Sequence, residues 1–270
     1  MYFYFKKVRS NNEKIKMVFF DIDGTMISLD KEGISEKTAL SLRKLKENGI
    51  KICVATGRSP IQLPDFSGIS FDAYLSFNGS LIFNDKEDIF KNPLSKDDIF
   101  TLMENSKDMD KPMAIATRDL YACNGTNFDL EKYFSFGGSQ PKVYDDFEDI
   151  IENDDIFQAI LPISANEYER AMENISSTKI TAWWDRAVDL IPKNGGKGKG
   201  VEEILSYYKI KKDECLAFGD GNNDLEMFEA VGYGICMANG SRDLKKVSYD
   251  VCKSVDEDGI YYYLKDKGII

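Results

Sequence analysis

Residues 16–25 read KMVFFDIDGT. The run Lys16–Phe20 is apolar after its lysine and stops abruptly at Asp21. Continuous apolar character, with no polar alternation, suits a strand covered on both faces, as in a parallel sheet between helices. Asp21, Asp23, Gly24 and Thr25 then place two carboxylates two positions apart at the strand's end, followed by a glycine for a tight turn. Such a loop offers the oxygen ligands that Mg²⁺ takes. A carboxylate beside a cation stays deprotonated and available as a nucleophile. At ~6% usage per residue type, these four fixed positions arise by chance at about one start point in 10⁵.

The same pattern of apolar strand and polar loop recurs along the chain. Ser35 can cap a helix over 36–48, with Leu40, Leu42 and Leu45 on one side and Gly49 as its stop. The next strand, 50–55, ends at Thr56-Gly57-Arg58, where a hydroxyl, bared backbone amides and a nearby helix start suit an anion. A strand over 73–76 leads to the turn dipeptide Asn78-Gly79. From Val188 the α/β rhythm returns. Leu190-Ile-Pro precedes the loop Gly195-Gly196-Lys197-Gly198-Lys199-Gly200 and a helix over 199–208. A lysine in that loop can reach a phosphate as a point charge. The loop is no P-loop, because Gly200 stands where Ser or Thr would follow the lysine. Its spacing leaves Lys197 and Lys199 both open for the role. Strand 215–218 runs into Gly219-Asp220-Gly221-Asn222-Asn223-Asp224, and helices over 224–230 and 243–247 flank a strand over 233–237.

Residues 84–187 differ in character. They carry a net charge of −11, against +3 for 1–83 and −3 for 188–270. Helices are expected over 99–104 and 166–175, and strands over 113–116, 120–122, 158–161 and 181–184. The expected fold is α/β, a Rossmann-like doubly wound parallel sheet core with an inserted α+β cap domain. The expected division is a leader over 1–15 with Met17 as the native start, core over 16–83, cap over 84–187 and core over 188–270. In such a sheet, ligands bind at the carboxyl ends of the strands, where these polar loops fall.

Composition removes several classes of function. The 270 residues include no histidine, which excludes Ser-His-Asp and Cys-His pairs, His-ligated zinc and histidine bases. No window reaches the roughly 18–20 apolar residues of a membrane span. Five scattered cysteines without a CxxC pair read as reduced thiols in a cytoplasmic protein. The net charge of −11 argues against nucleic acid or an anionic membrane as partner. A monomer or weak homodimer is expected.

Taken in order, DIDGT, TGR, the lysine of GGKGKG and GDGNND resemble the four motifs of the haloacid dehalogenase-like superfamily. The insertion resembles the α+β cap of its Cof-type phosphatases, and the likeness covers about residues 16–265. It implies a Mg²⁺-dependent phosphatase acting on small phosphorylated metabolites, such as sugar or cofactor phosphates, through an aspartyl-phosphate. A phosphomutase of the same fold and a weakly active phosphate-binding regulator are the alternatives. By this resemblance Asp21 matches the nucleophile. Asp23 matches the general acid/base and lends its backbone carbonyl to the metal. Asp21, Asp23, Asp220 and Asp224 match the metal site, and Thr56, Gly57, Lys197 and Asn223 the phosphate site. Asn78 sits in the family's Asn-Gly turn. Arg58 and, by residue type alone, Arg118, Asn124, Trp184 and Arg186 are candidates for touching substrate.

Overall fold

A computed structural model gives the structure of residues 15–28, 30, 31 and 33–270. The expected leader, apart from Ile15, lies outside the described residues. The described strands are β1 (Met17–Phe20), β2 (Lys51–Ala55), β3 (Ala73–Ser76), β4 (Leu81–Phe83), β5 (Asp88–Lys91), β6 (Ala114–Ala116), β7 (Tyr121–Cys123), β8 (Gln158–Leu161), β9 (Thr178–Thr181), β10 (Val188–Pro192), β11 (Cys215–Gly219), β12 (Tyr233–Cys236) and β13 (Asp250–Val251). The helices are α1 (Glu36–Glu47), α2 (Lys96–Asp108), α3 (Phe128–Phe136), α4 (Phe147–Asn153), α5 (Tyr168–Ala171), α6 (Lys197–Tyr208), α7 (Leu225–Ala230), α8 (Arg242–Val247) and α9 (Gly259–Asp266).

The larger sheet has eight strands in the order β13-β12-β11-β1-β2-β3-β4-β5. Pairing is parallel from β13 to β3 and antiparallel at β3–β4 and β4–β5. All four residues of β1 are buried, as its unbroken apolar run requires. Val18 and Phe20 face one side, with Leu42 and Leu45 of α1 and Leu264 of α9. Met17 and Phe19 face the other, with Val201 and Ile204 of α6 and Met227 of α7. Each fully buried side chain of this size contributes about 1.5–3 kcal/mol by leaving water, so this doubly covered strand anchors the loop that follows it.

Helix α1 starts as expected, with the Ser35 side chain accepting from the Thr38 amide, and Gly49 takes a left-handed φ of 73° after its end. Leu40 does not join the buried face and is 38% exposed. At about 100° per residue it lies on the opposite side from Leu42.

The smaller sheet is antiparallel, in the order β7-β6-β8-β10-β9. Leu102 of α2, Ile151 of α4 and Ala171 of α5 cover one face. Leu130 and Phe134 of α3 pack on the other.

Several expected boundaries move. β5, expected in the cap, forms a hairpin with β4 in the larger sheet, and β10, expected in the returning core, lies inside the smaller one. The crossings therefore follow Lys91 and Pro192 rather than residues 83 and 187. An apolar strand such as VDLIP has the same pattern in either sheet, and only its partners tell them apart. The helix expected over 166–175 is a turn over Ala165–Glu167 plus the four-residue α5, and Asn174, at a φ of 60°, ends helical backbone. The strand expected over 181–184 lies at Thr178–Thr181, where it pairs with β10, and Trp183 beyond it is half exposed. Helices α3 and α4 were not expected. All five cysteines are free and buried. Among the described residues, no helix is long and apolar enough to cross a membrane.

Candidate active site

The carboxyl ends of β1, β2 and β11 and the start of α6 meet at one place. Asp21 directly follows β1, and its amide donates to the Phe218 carbonyl of β11 at 3.0 Å. Gly196, at a φ of 131°, turns the chain into α6 so that Lys197 is its first residue. The Lys197 side chain is fully buried, and its Nζ lies 2.6 Å from Asp21 Oδ1 and 2.6 Å from Asp224 Oδ1. Lys199 instead points outward, 42% exposed and paired with Glu203 at 2.7 Å. The structure therefore separates the two lysines, and Lys197 is the one at the centre. Burial pulls the Lys197 ammonium down, but Asp21 and Asp224 outweigh it and hold it above its ordinary value.

The GDGNND loop is locked by its own carboxylate. Asp224 Oδ2 accepts from the amides of Asp220 and Gly221, each at 3.0 Å. Asp220 Oδ1 accepts from the Thr25 hydroxyl at 3.1 Å. Gly24 is required twice over. Its φ is 80°, and a Cβ there would sit 2.2 Å from Asp220 Oδ2.

Asp21, Asp220 and Asp224 each bring an oxygen within 4.8 Å of the others. Burial pushes Asp21 well above the usual carboxylate range; Lys197 pulls it back, while Asp224, Asp220 and Asp23 push further. Burial, with Asp224, raises Asp220 to about 6. Three crowded carboxylates facing one lysine leave negative charge uncompensated in a dry site. That donor set fits a hard divalent cation bound through oxygen. The Asp23 side chain stands outside this group. Arg58 grips it from Nε at 2.9 Å and from Nη2 at 2.6 Å, a two-point fork.

Thr56 is buried at the end of β2. Its Oγ1 accepts from the Arg58 amide at 3.1 Å, which leaves the hydroxyl proton free to point at an anion. The Asn-Gly turn is tied to this loop, with Asn78 donating to the Thr56 carbonyl at 2.9 Å and Phe77 to the Arg58 carbonyl at 3.0 Å. Phe77 and Asn78 adopt φ of 51° and 52°. Asparagine tolerates that region; a buried phenylalanine there is unusual and is held by stacking on Phe157 of the smaller unit. The Asn78 amide reaches Asn223 Nδ2 at 3.5 Å, and a Cβ on Gly57 would lie 3.1 Å from it. Asp21, Asp23, Thr56, Gly57, Arg58, Asn78, Lys197, Asp220, Asn223 and Asp224 are thus brought together.

The expected substrate residues of the insertion have other partners. Arg118 pairs with Asp88 and stacks over Phe83. Trp184 packs against Trp183 and Phe136. Arg186 pairs with Asp129, and Asn124 accepts from the Met113 amide.

Residues that sequence reasoning missed reach the site from the insertion. Tyr121 donates to Gln62 Oε1 at 2.8 Å, and Gln62 donates to the Ser139 hydroxyl at 3.2 Å and accepts from Arg58 through its carbonyl. Asp189, buried on β10, accepts from the Tyr133 hydroxyl. One signal was available: a carboxylate inside the apolar strand VDLIP has to find a buried partner. Burial pushes the Asp189 carboxyl up to about 7, against donors from Tyr133, Gln158 and Asn78.

A folded-state value above the unfolded ~3.9 means the native protein holds this proton more tightly. The stabilisation is complete below about pH 4 and is lost as the pH rises through 7. Asp189→Asn should therefore raise Tm at pH 8, by an amount on the order of 2–4 kcal/mol of stability, and gain little at pH 4. Melting curves in EDTA check this; an equal gain at both pH values would rule out titration of Asp189 as the cause.

Comparison with known proteins agrees with this geometry. The sequence profile of the haloacid dehalogenase-like hydrolases matches residues 18–264. YkrA of Bacillus subtilis (strain 168) is 32% identical over 257 residues, spanning 94% of this chain and 98% of YkrA. YitU of the same organism, a 5-amino-6-(5-phospho-D-ribitylamino)uracil phosphatase, is 25% identical over 266 residues, spanning 93% of this chain and 96% of YitU. Among solved structures, the subclass IIB sugar phosphatase BT4131 superposes with a TM-score of 0.86 at 27% identity, covering 94% of this chain and 100% of that one. A sheet edge that gathers buried carboxylates around one lysine, within a chain matched over nearly its whole length, places this protein in the haloacid dehalogenase-like hydrolase family, as a Cof-type phosphatase.

Proposed function

We propose that this chain hydrolyses small phosphorylated metabolites, sugar phosphates or cofactor phosphates, with Mg²⁺ and through an aspartyl-phosphate on Asp21. The observation that carries the reading is Lys197, buried and spanning Asp21 and Asp224 at 2.6 Å each, with Asp220 beside them. Such a site attracts a phosphate to a carboxylate that would otherwise repel it. The sugar substrate of BT4131 and the ribityl phosphate substrate of YitU support the substrate class.

Asp21, Asp220, Asp224 and the Asp23 carbonyl would hold Mg²⁺. When bound, it would neutralise phosphate oxygens and the charge on the nucleophile. Lys197 keeps Asp21 oriented through Oδ1. Thr56, the Gly57 amide and Asn223 hold the phosphoryl oxygens. A carboxylate oxygen of Asp21 attacks phosphorus as the bond to the leaving oxygen breaks, and Asp23 gives that oxygen a proton. Asp23, now a carboxylate, takes a proton from water as the water attacks phosphorus, which frees phosphate and restores Asp21. Both Asp23 oxygens accept from Arg58, and each keeps a second lone pair through which a proton can be given or taken. Arg58 acts here on the acid/base rather than on substrate.

The unit built on the smaller sheet serves as the cap, joined to the core by Tyr121–Gln62 and by the ion pair of Lys179 with Glu226 at 2.9 Å. We assign the protein to the cytoplasm, which suits five free buried thiols, and expect a monomer or weak homodimer. The test is phosphate release from a panel of phosphorylated sugars, polyols and cofactors, with Mg²⁺ and with EDTA. Release that EDTA removes and Mg²⁺ restores is expected. An isomerised product without free phosphate would make the protein a mutase, and binding without turnover a regulator.

A further inference from the structure

Between β3 and β4, Phe77-Asn78-Gly79 turns the chain with three successive residues at positive φ, 51°, 52° and 98°. Glycine takes such values freely and asparagine tolerates them, whereas the Cβ of phenylalanine crowds its own backbone there. Phe77 therefore holds a conformation that its surroundings must impose. Its fully buried ring stacks on Phe157, with centroids 5.7 Å apart and planes 13° from parallel. Phe157 belongs to the insertion. It directly precedes β8, and its amide donates to the Ala116 carbonyl of β6 at 2.9 Å, so the smaller sheet fixes where it stands.

The turn held in this way touches the phosphate site from several sides. The Phe77 and Asn78 amides donate to the Arg58 and Thr56 carbonyls at 3.0 and 2.9 Å, which fixes the loop carrying the Thr56 hydroxyl and the Gly57 amide. Asn78 Oδ1 accepts from Asn223 Nδ2 at 3.5 Å. A Cβ on Gly79 would sit 2.4 Å from the Gly196 carbonyl oxygen, one residue before Lys197. Phe157, at 2% exposed, offers substrate no surface of its own.

We propose that Phe157 is a positioning residue for the phosphoryl group: it props the strained turn, and the turn aims the groups that bind phosphate. The inference rests on the phosphatase reading above. Without the stack, Phe77 relaxes to negative φ, its amide and that of Asn78 leave their carbonyls, and Thr56, Gly57 and Asn223 lose their alignment. The insertion then acts on the group common to every substrate, through the core and without contact.

Calorimetry of inorganic phosphate binding, with Mg²⁺ present, tests this free of any leaving group. Phe157→Ala should weaken phosphate at least about 10-fold, the loss expected when a hydrogen bond to a charged group is misaligned. Phe157→Leu keeps most of the buried volume but not the flat stack, and should lose about 5-fold; it serves if the alanine variant does not fold. Adding Phe77→Gly to either variant is decisive. Glycine takes the left-handed turn without a prop, so affinity should return to within about 2-fold of wild type. Tm should meanwhile fall further, because a second buried ring is gone. A merely structural role predicts the reverse for phosphate, with affinity falling alongside Tm. Unchanged affinity in the Phe157 variants, or no recovery on adding Phe77→Gly, would overturn the proposal. A wild type that binds phosphate but releases it from no ester would refute the phosphatase reading alone, and the same calorimetry would still decide the inference. A wild type that binds no phosphate would overturn both.

Discussion

Lys197→Met is expected to lose both activity and stability, more than any other single change in the core loops. The lysine is the only cation contacting Asp21 and Asp224 among the described residues, and it is fully buried. Removing one partner of a buried ionic group leaves the others unpaired, at a cost of about 3–5 kcal/mol. For a chain of this size that lowers Tm by roughly 10 °C. Activity should fall at least about 10³-fold, because the variant lacks the positive charge that offsets repulsion between phosphate and nucleophile. The stability deficit should be largest near pH 8 and shrink toward pH 5. Asp21 and Asp220 already sit above their ordinary values, Asp220 at about 6, and both take up protons more readily once the lysine is gone. Lys199→Met is the control. It breaks an exposed pair with Glu203 worth at most about 1 kcal/mol and should leave turnover within about 3-fold. Melting curves at both pH values and initial rates for the two variants decide the matter. Comparable losses in both would mean that burial of Lys197 has no special role.

Asp21→Asn is expected to lose as much activity and yet gain stability. An amide is a poor nucleophile toward phosphorus, so turnover should fall at least about 10³-fold. Stability moves the other way because burial holds the Asp21 carboxyl well above its unfolded value. A raised acid destabilises the fold once the pH exceeds that value, and asparagine mimics its protonated form. In EDTA at pH 8 the variant should therefore melt several degrees above the wild type, while Lys197 keeps Asp224 as its partner. Adding Mg²⁺ should narrow the gap, since bound cation stabilises the wild type through its full carboxylate set. A variant that melts below the wild type in EDTA would show that the Asp21–Lys197 contact outweighs the desolvation of the carboxylate. Retained turnover would remove Asp21 from the chemistry.

The two substitutions together separate two functions of one ion cluster. Lysine stabilises by relieving repulsion that the carboxylates create. Asp21 carries a cost to the fold, as expected of a buried carboxylate with the nucleophilic role proposed for it.

The centre of the larger sheet was legible because β1, β2 and β11 are buried on both faces, and continuous apolar runs ending at Asp21, Thr56 and Gly219 mark them without reference to neighbours. The motif loops follow from those ends, since a strand's carboxyl terminus fixes where its next residues emerge. The smaller sheet was less legible. Its strands are no shorter than those of the larger sheet, but an apolar strand such as VDLIP carries the same pattern in either sheet, and the strand expected over 181–184 ends at Thr181, where pairing with β10 stops and Trp183 is half exposed.

The sequence by itself determined the class of fold, the insertion and the loops that carry the carboxylates, because local apolar pattern and loop chemistry are written in consecutive residues. Tertiary structure alone decided three other matters. It chose Lys197 over Lys199, two residues apart in the same loop, because α6 begins at Lys197 and turns it inward while Lys199 meets solvent. It gave Arg58 to Asp23. It also set Ala116 and Phe157 of the insertion against Phe77 in the Asn-Gly turn, because the docking of one sheet's strands on the other's turn brings together residues far apart in the chain.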